Sequence, residues 1–209
     1  MIWWGLAALA LVAAAPVLRE VARPRIESAR AKAPGKFATL SRGRTQYRWQ
    51  GPEGGPVTVC VHGLTTPSFV WEGLVPGLVA AGHRVLTYDL YGRGHSDRPG
   101  GTQDAGFFVR QLEELLADQE VEGPVTLLGY SMGGAIATAF AARHPDRVRE
   151  LILIAPAGLG HDLGPVARLV ARGGLLGRWL MLAAFAISFR RGCEAERALP
   201  STVPGIVDR

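Results

Sequence analysis

The chain has 209 residues, of which 48% are hydrophobic and 20% charged, with 27 Gly, 14 Pro and 2 Cys. That composition excludes a disordered chain, a collagen-like repeat and a disulfide scaffold, and the length suits one domain that buries a core without cross-links or a structural metal. The formal net charge of +5 is concentrated, because residues 19–48 hold nine Lys/Arg against two Asp/Glu and the remainder is slightly acidic. A nucleic-acid reader carries its basic patch on the folded domain. Here the surplus follows directly on an apolar run, which points to a membrane surface and to no nucleic-acid partner.

Ile2 to Leu18 (IWWGLAALALVAAAPVL) is 17 residues without a charge, the short end of what spans a bilayer. A signal peptide would open on a basic stretch, yet only Met1 precedes the run, and the A-x-A site at Ala13–Ala15 is followed by Pro16. Residues 1–18 therefore read as an uncleaved N-terminal transmembrane helix followed by a basic linker, 19–36. The positive-inside rule then holds the rest of the chain in the cytoplasm, with Trp3 and Trp4 at the far interface. Neither Cys60, inside a Val-rich run, nor Cys193, isolated in a charged segment, has metal-ligand spacing.

Phe37 to Leu40 predicts a first strand, and Thr45 to Trp49 its hairpin partner. After the turn Pro52–Pro56, Val57 to Val61 (VTVCV) is the continuously apolar, β-branched run of a strand buried on both faces. Trp71 to Ala81 has helical spacing and ends at Gly82, Arg84 to Leu90 is another strand, and Phe107 to Glu120 is a helix with Phe108, Leu112, Leu115 and Leu116 on one side. Val125 to Leu128 and Leu151 to Ile154 are two more strands, separated by an Ala-rich helix from Met132 to Arg143. Strands alternating with helices predict an α/β domain over residues 37–157, a mostly parallel sheet with helices on both faces.

Gly129-Tyr130-Ser131-Met132-Gly133 lies between the strand ending at Leu128 and the Ala-rich helix. G-x-S-x-G in that setting is a nucleophile elbow, a turn so tight that side chains at the flanking positions would collide with backbone. It holds the Ser131 hydroxyl at the sheet edge, and the helix beneath adds free N–H groups that favour developing negative charge. His62-Gly63-Leu64 follows the strand Val57–Val61 at the same edge, where a backbone N–H completes an oxyanion hole with that of Met132. His62 itself reads as a loop-ordering residue. Gly92-Arg93-Gly94 lacks the spacing of a dinucleotide-binding loop.

Val59–Gly63 (VCVHG), Asp89–Pro99 (DLYGRGHSDRP), Gly129–Gly134 (GYSMGG) and His144–Ala155 (HPDRVRELILIA) together resemble the α/β-hydrolase fold family, in particular its serine esterase, haloperoxidase-like and C–C hydrolase group. The resemblance covers about Phe37 to Gly158. It implies Ser131 as nucleophile, the N–H groups of Leu64 and Met132 as oxyanion donors, and no cofactor or metal. Ser rather than Asp at the elbow separates the chain from the dehalogenase and epoxide hydrolase branches, which use a carboxylate.

An activated serine needs a base oriented by a carboxylate. The family resemblance places both after the nucleophile, on two strands beyond a cap, and this chain does not reach them. Residues 158–209 resemble a partial helical cap, with Leu175 to Phe189 as its apolar helix. His161 beside Asp162, and His95 on a loop at the correct sheet edge, are the only candidate substitutes and are read as ordinary loop residues. Without further strands, Leu151–Ile154 would be an unprotected sheet edge. The expectation is a C-terminally truncated serine hydrolase that cleaves an ester-like, hydrophobic carbonyl substrate through an acyl-enzyme on Ser131. The alternative is a pseudoenzyme, a membrane-tethered binding or scaffold protein that keeps the elbow and lacks the base.

Overall fold

The computed structural model describes residues 11–18, 21–22, 30–31, 33–158, 165–171, 174–177 and 179–182. Two compact units divide the chain: Ile26–Leu159, and a second that joins Met1–Arg25 to Gly160–Arg209. The first unit holds a six-stranded sheet. Its strands in chain order are β1 (Lys36–Leu40), β2 (Gly43–Gln50), β3 (Val57–Val61), β4 (Arg84–Tyr88), β5 (Val125–Tyr130) and β6 (Val148–Ile154), and they lie in the order β1-β2-β4-β3-β5-β6. The β1–β2 hairpin is antiparallel, and β2 runs antiparallel to β4, whereas β4, β3, β5 and β6 pair in parallel. This is the mostly parallel α/β sheet that the alternation of apolar runs predicts.

Helices cover both faces. Val59, Val61, Leu86, Tyr88, Val125 and Leu127 point to one side, where they pack with α2 (Ala105–Asp118) and α3 (Met132–Arg143). Cys60, Val85 and Leu128 point to the other, against Trp71 and the short α1 (Val75–Ala80). The period-two alternation of side chains therefore sorts each apolar strand between two layers. Burial pushes the Cys60 thiol up to about 12, the behaviour of a core residue without reactivity.

Element boundaries depart from the sequence reading for local reasons. The single helix expected over Trp71–Ala81 is a 3-10 turn at Ser68–Trp71 and a separate α1, because Pro76 supplies no N–H and fits only the first turn of a helix. α2 starts two residues early, at Ala105, since the Asp104 carboxylate accepts the Phe107 N–H at 2.8 Å and caps it. β6 starts at Val148, where pairing with Val125 recruits the polar residues Arg149 and Glu150. Its outer side carries no strand among the described residues, so Ile152, Leu153 and Ile154 are 44%, 38% and 40% exposed.

Among the described residues, the basic linker expected over 19–36 is tied to the domain at Arg30, at Pro34, whose carbonyl accepts from the Gln46 amide, and at Lys36, which pairs with Tyr47 in β1. Arg30 is buried, pairs with Asp97 and donates to the His95 carbonyl at 2.9 Å.

The transmembrane helix expected over Ile2–Leu18 is not supplied by the described residues. Of that stretch the structure describes residues 11–18, eight helical residues that cover about 12 Å at 1.5 Å per residue, against a hydrocarbon layer of about 30 Å. No helix among the described residues is long and apolar enough to cross a membrane. In its own unit, the Ala13 carbonyl accepts the Trp179 indole N–H at 2.6 Å. Of the expected cap, Pro165–Ala171 forms a helix, and 174–177 and 179–182 are also helical. The rest of Leu175–Phe189 lies outside the described residues, as do His161, Asp162 and Cys193.

Candidate active site

Two parallel strands deliver the site to one sheet edge. Val61 of β3 is registered against Gly129 of β5, so the loops that leave both strands meet. Ser131, between β5 and α3, has φ 52° and ψ −119°. A non-glycine residue in that region costs roughly 1–3 kcal/mol and persists only where its surroundings over-determine it. They do so here: the Ser131 N–H donates to the Ile154 carbonyl at 3.0 Å, and the Ser131 carbonyl accepts the N–H groups of Gly134 at 2.9 Å and Ala157 at 2.8 Å.

The neighbouring glycines are required by close approach. A Cβ on Gly133 would lie 2.0 Å from the Val61 carbonyl oxygen, and one on Gly129 would lie 2.6 Å from the Gly134 Cα. Gly63 in turn approaches Ser131, since a Cβ there would stand 3.1 Å from the serine Cβ. The segment His62-Gly63-Leu64 thus lies directly against the elbow. Neither the Leu64 nor the Met132 N–H is taken up by the turn and loop hydrogen bonds that knit this corner together.

His62 is wholly buried and both of its ring nitrogens are committed. Nδ1 donates to the Gly63 carbonyl at 2.7 Å, and Nε2 accepts the Leu90 N–H at 2.9 Å. Accepting a backbone N–H requires Nε2 to be unprotonated, so the ring is neutral. Burial lowers its pKa, against the raising influence of Asp89 and the Gly63 carbonyl. His62 orders the loop and has no nitrogen left to serve Ser131.

The loop after β4 is a polar scaffold. Buried Asp89 accepts the Ser68 N–H at 2.9 Å and the His95 N–H at 2.8 Å, with His95 Nδ1 3.6 Å away. Burial alone would raise its carboxyl, but the His95 side chain and these backbone N–H groups hold it below the usual carboxylate range. Gly94, at φ 49°, leaves the room, because a Cβ there would stand 2.0 Å from an Asp89 carboxylate oxygen. Buried Gln111 ties the loop to the core, accepting the Tyr91 N–H at 3.0 Å and donating to Thr45 Oγ1 at 2.9 Å and the Asp89 carbonyl at 3.1 Å. Arg93 donates to the Tyr91 carbonyl and to Gln103, each at 2.8 Å.

The structure brings Ser131, Met132 and the Gly63–Leu64 segment together, and it places the described histidines elsewhere. His83 meets Thr58 Oγ1 at 2.8 Å, His144 meets Glu113 at 2.6 Å, and His95 stays with Asp89. No imidazole among the described residues is hydrogen-bonded to Ser131. Nor do the described residues hold a cluster of three or more His, Cys, Asp or Glu side chains suited to a metal ion. Sequence reasoning missed the buried roles of Arg30, Asp89 and Gln111. A single polar residue carries no periodic signal of burial, which for these three is set by partners distant in sequence.

A strained serine between a parallel strand and a helix, with glycines packed on every side of it, is the geometry against which relatives can be compared. The family model of the alpha/beta hydrolase fold matches residues 56–178. The chain belongs to the α/β-hydrolase family. An uncharacterised protein of Mycobacterium tuberculosis (strain ATCC 25618 / H37Rv) is 31% identical over 154 residues, 74% of this chain and 41% of that protein. A haloalkane dehalogenase of Mycolicibacterium paratuberculosis is 36% identical over 117 residues, 53% of this chain and 37% of the dehalogenase. Among solved structures, the enol-lactonase from Burkholderia xenovorans LB400 superposes with a TM-score of 0.53 at 30% identity, covering 56% of this chain and 45% of the lactonase. The chain therefore spans well under half the length of the curated relatives it matches here, 41% and 37%.

Proposed function

We propose that this α/β-hydrolase is a serine hydrolase acting on an ester-like, hydrophobic carbonyl substrate through an acyl-enzyme on Ser131. The observation that carries the reading is the elbow: Ser131 held at φ 52° with Gly63 packed against it. Ser131 Oγ bonds to the carbonyl carbon as its proton passes to a general base. The carbonyl π pair moves onto oxygen, and the N–H groups of Leu64 and Met132 receive that oxyanion. Collapse breaks the bond to the leaving alkoxide, which takes the proton from the base, and water then releases the acyl group by the same steps in reverse.

The base and its orienting carboxylate would come from residues beyond β6, as the family resemblance places them. A hydroxyl at the elbow, in place of a carboxylate, favours acyl chemistry such as the lactonase name implies over displacement of a halide. No metal or organic cofactor takes part. Membrane attachment through Ile2–Leu18, with the domain facing the cytoplasm, belongs to the same proposal. It is supported by the uncharged run, the basic residues after it, and the exposure of Leu11, Val12 and Leu18 on the helix over residues 11–18.

Labelling by a fluorophosphonate probe tests the nucleophile. The expected result is a single adduct on Ser131 in the intact protein and none in Ser131→Ala, with turnover of p-nitrophenyl esters lowered about 10³-fold or more. Labelling that survives Ser131→Ala overturns the assignment. The second reading, a binding or scaffold protein that keeps the elbow without a base, draws on the engagement of every described imidazole with partners other than Ser131. It expects no turnover of activated esters and a binding role indifferent to Ser131→Ala.

A further inference from the structure

The groove along α2 presents three cations, two of which the molecule's own carboxylates leave unused. A cavity of about 410 Å³ there is bordered by Arg42 from the β1–β2 turn, Arg110 from α2 and Arg143 from the end of α3. Two carboxylates also line it, and both have structural employment. Asp104 caps α2 through the Phe107 N–H, while Glu114 accepts the Ser41 N–H at 2.9 Å and the Ser41 hydroxyl at 2.6 Å. Arg143 reaches only Glu113, at 3.3 Å, a carboxylate that also holds His144 at 2.6 Å. Arg42 lies over the Phe107 ring at 5.6 Å. Among the described residues, neither the Arg42 nor the Arg110 guanidinium has a hydrogen-bonded or ion-paired partner. Tyr91 and Phe107, with ring centroids 5.4 Å apart, form an aromatic wall of the same cavity.

We propose that this groove is a binding site for a small phosphorylated organic molecule, with Arg42, Arg110 and Arg143 on its phosphate group and its apolar part against Tyr91 and Phe107. Guanidinium forks match the oxygens of a phosphate, and a dianion answers a lining in which cations outnumber carboxylates. The volume suits a ligand of phosphate plus a small organic body. The site is separate from the elbow. Ser131 precedes the first residue of α3 and Arg143 is its last, so the 12-residue helix, about 18 Å long, stands between them. The inference does not rest on the chemistry proposed for Ser131.

Isothermal titration of the full chain with inorganic phosphate and with phenyl phosphate tests it, at constant low chloride. The expected result is saturable binding of both, tighter for phenyl phosphate, weakened about tenfold or more in Arg42→Gln/Arg110→Gln. Both side chains are exposed, so the double variant should stay folded with a thermal midpoint lowered by no more than a few degrees through loss of the Arg42–Phe107 contact, and Arg110→Gln alone should weaken binding in the same direction with its midpoint unchanged. Ser131→Ala and Arg149→Gln, which lie outside the groove, should bind as the parent does. Sedimentation with phosphatidic acid vesicles, against phosphatidylcholine vesicles, separates the two sources of the phosphate. Vesicle binding that the double variant loses assigns the site to a lipid headgroup, and binding confined to the soluble phosphates assigns it to a free metabolite. The proposal is overturned by absence of saturable binding to either source, by equal affinity in the parent and the double variant, or by sodium benzoate binding as tightly as phenyl phosphate.

Discussion

β5 and β6 lie side by side, pair in parallel and are made largely of the same aliphatic residues, yet Val125 and Leu127 of β5 are fully buried while Ile152, Leu153 and Ile154 of β6 are open to solvent. Composition does not separate them. Coverage does: β5 has β3 on one side and β6 on the other, with α3 on one face and the Trp71 cluster on the opposite face. Among the described residues, β6 has one neighbouring strand and packs against α3. An aliphatic run marks a strand, and what lies over that strand decides how much energy its burial returns. The elbow straddles the two halves. Ser131 is borne on β5, while its N–H is held by the Ile154 carbonyl of β6.

The sharpest way to break the covered half is Gly133→Ala. Its Cβ would be forced to 2.0 Å from the Val61 carbonyl oxygen, and because backbone has no rotamer to escape into, the start of α3 must move away from the end of β3. The expected loss is about 3 kcal/mol or more in urea unfolding, together with loss of fluorophosphonate labelling at Ser131. An alanine at Gly54, where a Cβ meets nothing within 4 Å, should leave both readouts unchanged. Leu127→Ala comes next in size. It empties a fully buried position between β5 and its helices, at an expected cost of about 2–5 kcal/mol by the same measurement.

These two positions also show what could be read before folding. The apolar runs Val57–Val61 and Val125–Leu128 and the glycine-serine-glycine spacing were legible because each is a local pattern with a single physical solution. Their place in the sheet followed from the alternation of strands with helices. Other features needed partners that no local pattern names. Gln111 lies on the inner face of an amphipathic helix, where an apolar residue would be expected, and it is there to serve Tyr91, Thr45 and Asp89. Arg30 sits among basic residues that read as a solvated linker, and its burial is set by Asp97, 67 positions away. Of the site, the nucleophile and the loop packed against it were legible, while the network beneath the loop was not.

A smaller effect belongs to His62, at the end of β3. Burial keeps its folded-state pKa below the ordinary imidazole value of 6.5, so the unfolded chain takes up a proton that the folded chain refuses. Its contribution is complete above about pH 6.5 and is lost as the pH falls below that value, with a slope of at most about 1.4 kcal/mol per pH unit. Urea midpoints between pH 7.5 and 5 should decline in the parent more steeply than in His62→Asn, which cannot take up that proton. Equal slopes would mean that His62 is not held neutral.

The smallest expected change is the one that decides whether β6 is as open in the whole protein as in the described residues. Leu153 is 38% exposed and faces away from the side of Ile152 and Ile154, so both faces of the strand are uncovered at its C-terminal end. Leu153→Ala should cost less than about 1 kcal/mol, a fraction of the Leu127→Ala loss, if nothing lies over it. The fold family carries its base and acid on strands that follow this one, and a strand added beside β6 would bring covering helices with it. In the protein isolated from its native source, a Leu153→Ala loss rising to the Leu127→Ala range would show that β6 is an interior strand there. An intact mass well above 22.3 kDa would then assign the covering strands to the same polypeptide. A mass that matches 22.3 kDa with the same large loss would assign them to a second chain. A small Leu153→Ala loss in that preparation would leave Ser131 without its proton acceptor and favour the scaffold reading over the hydrolase.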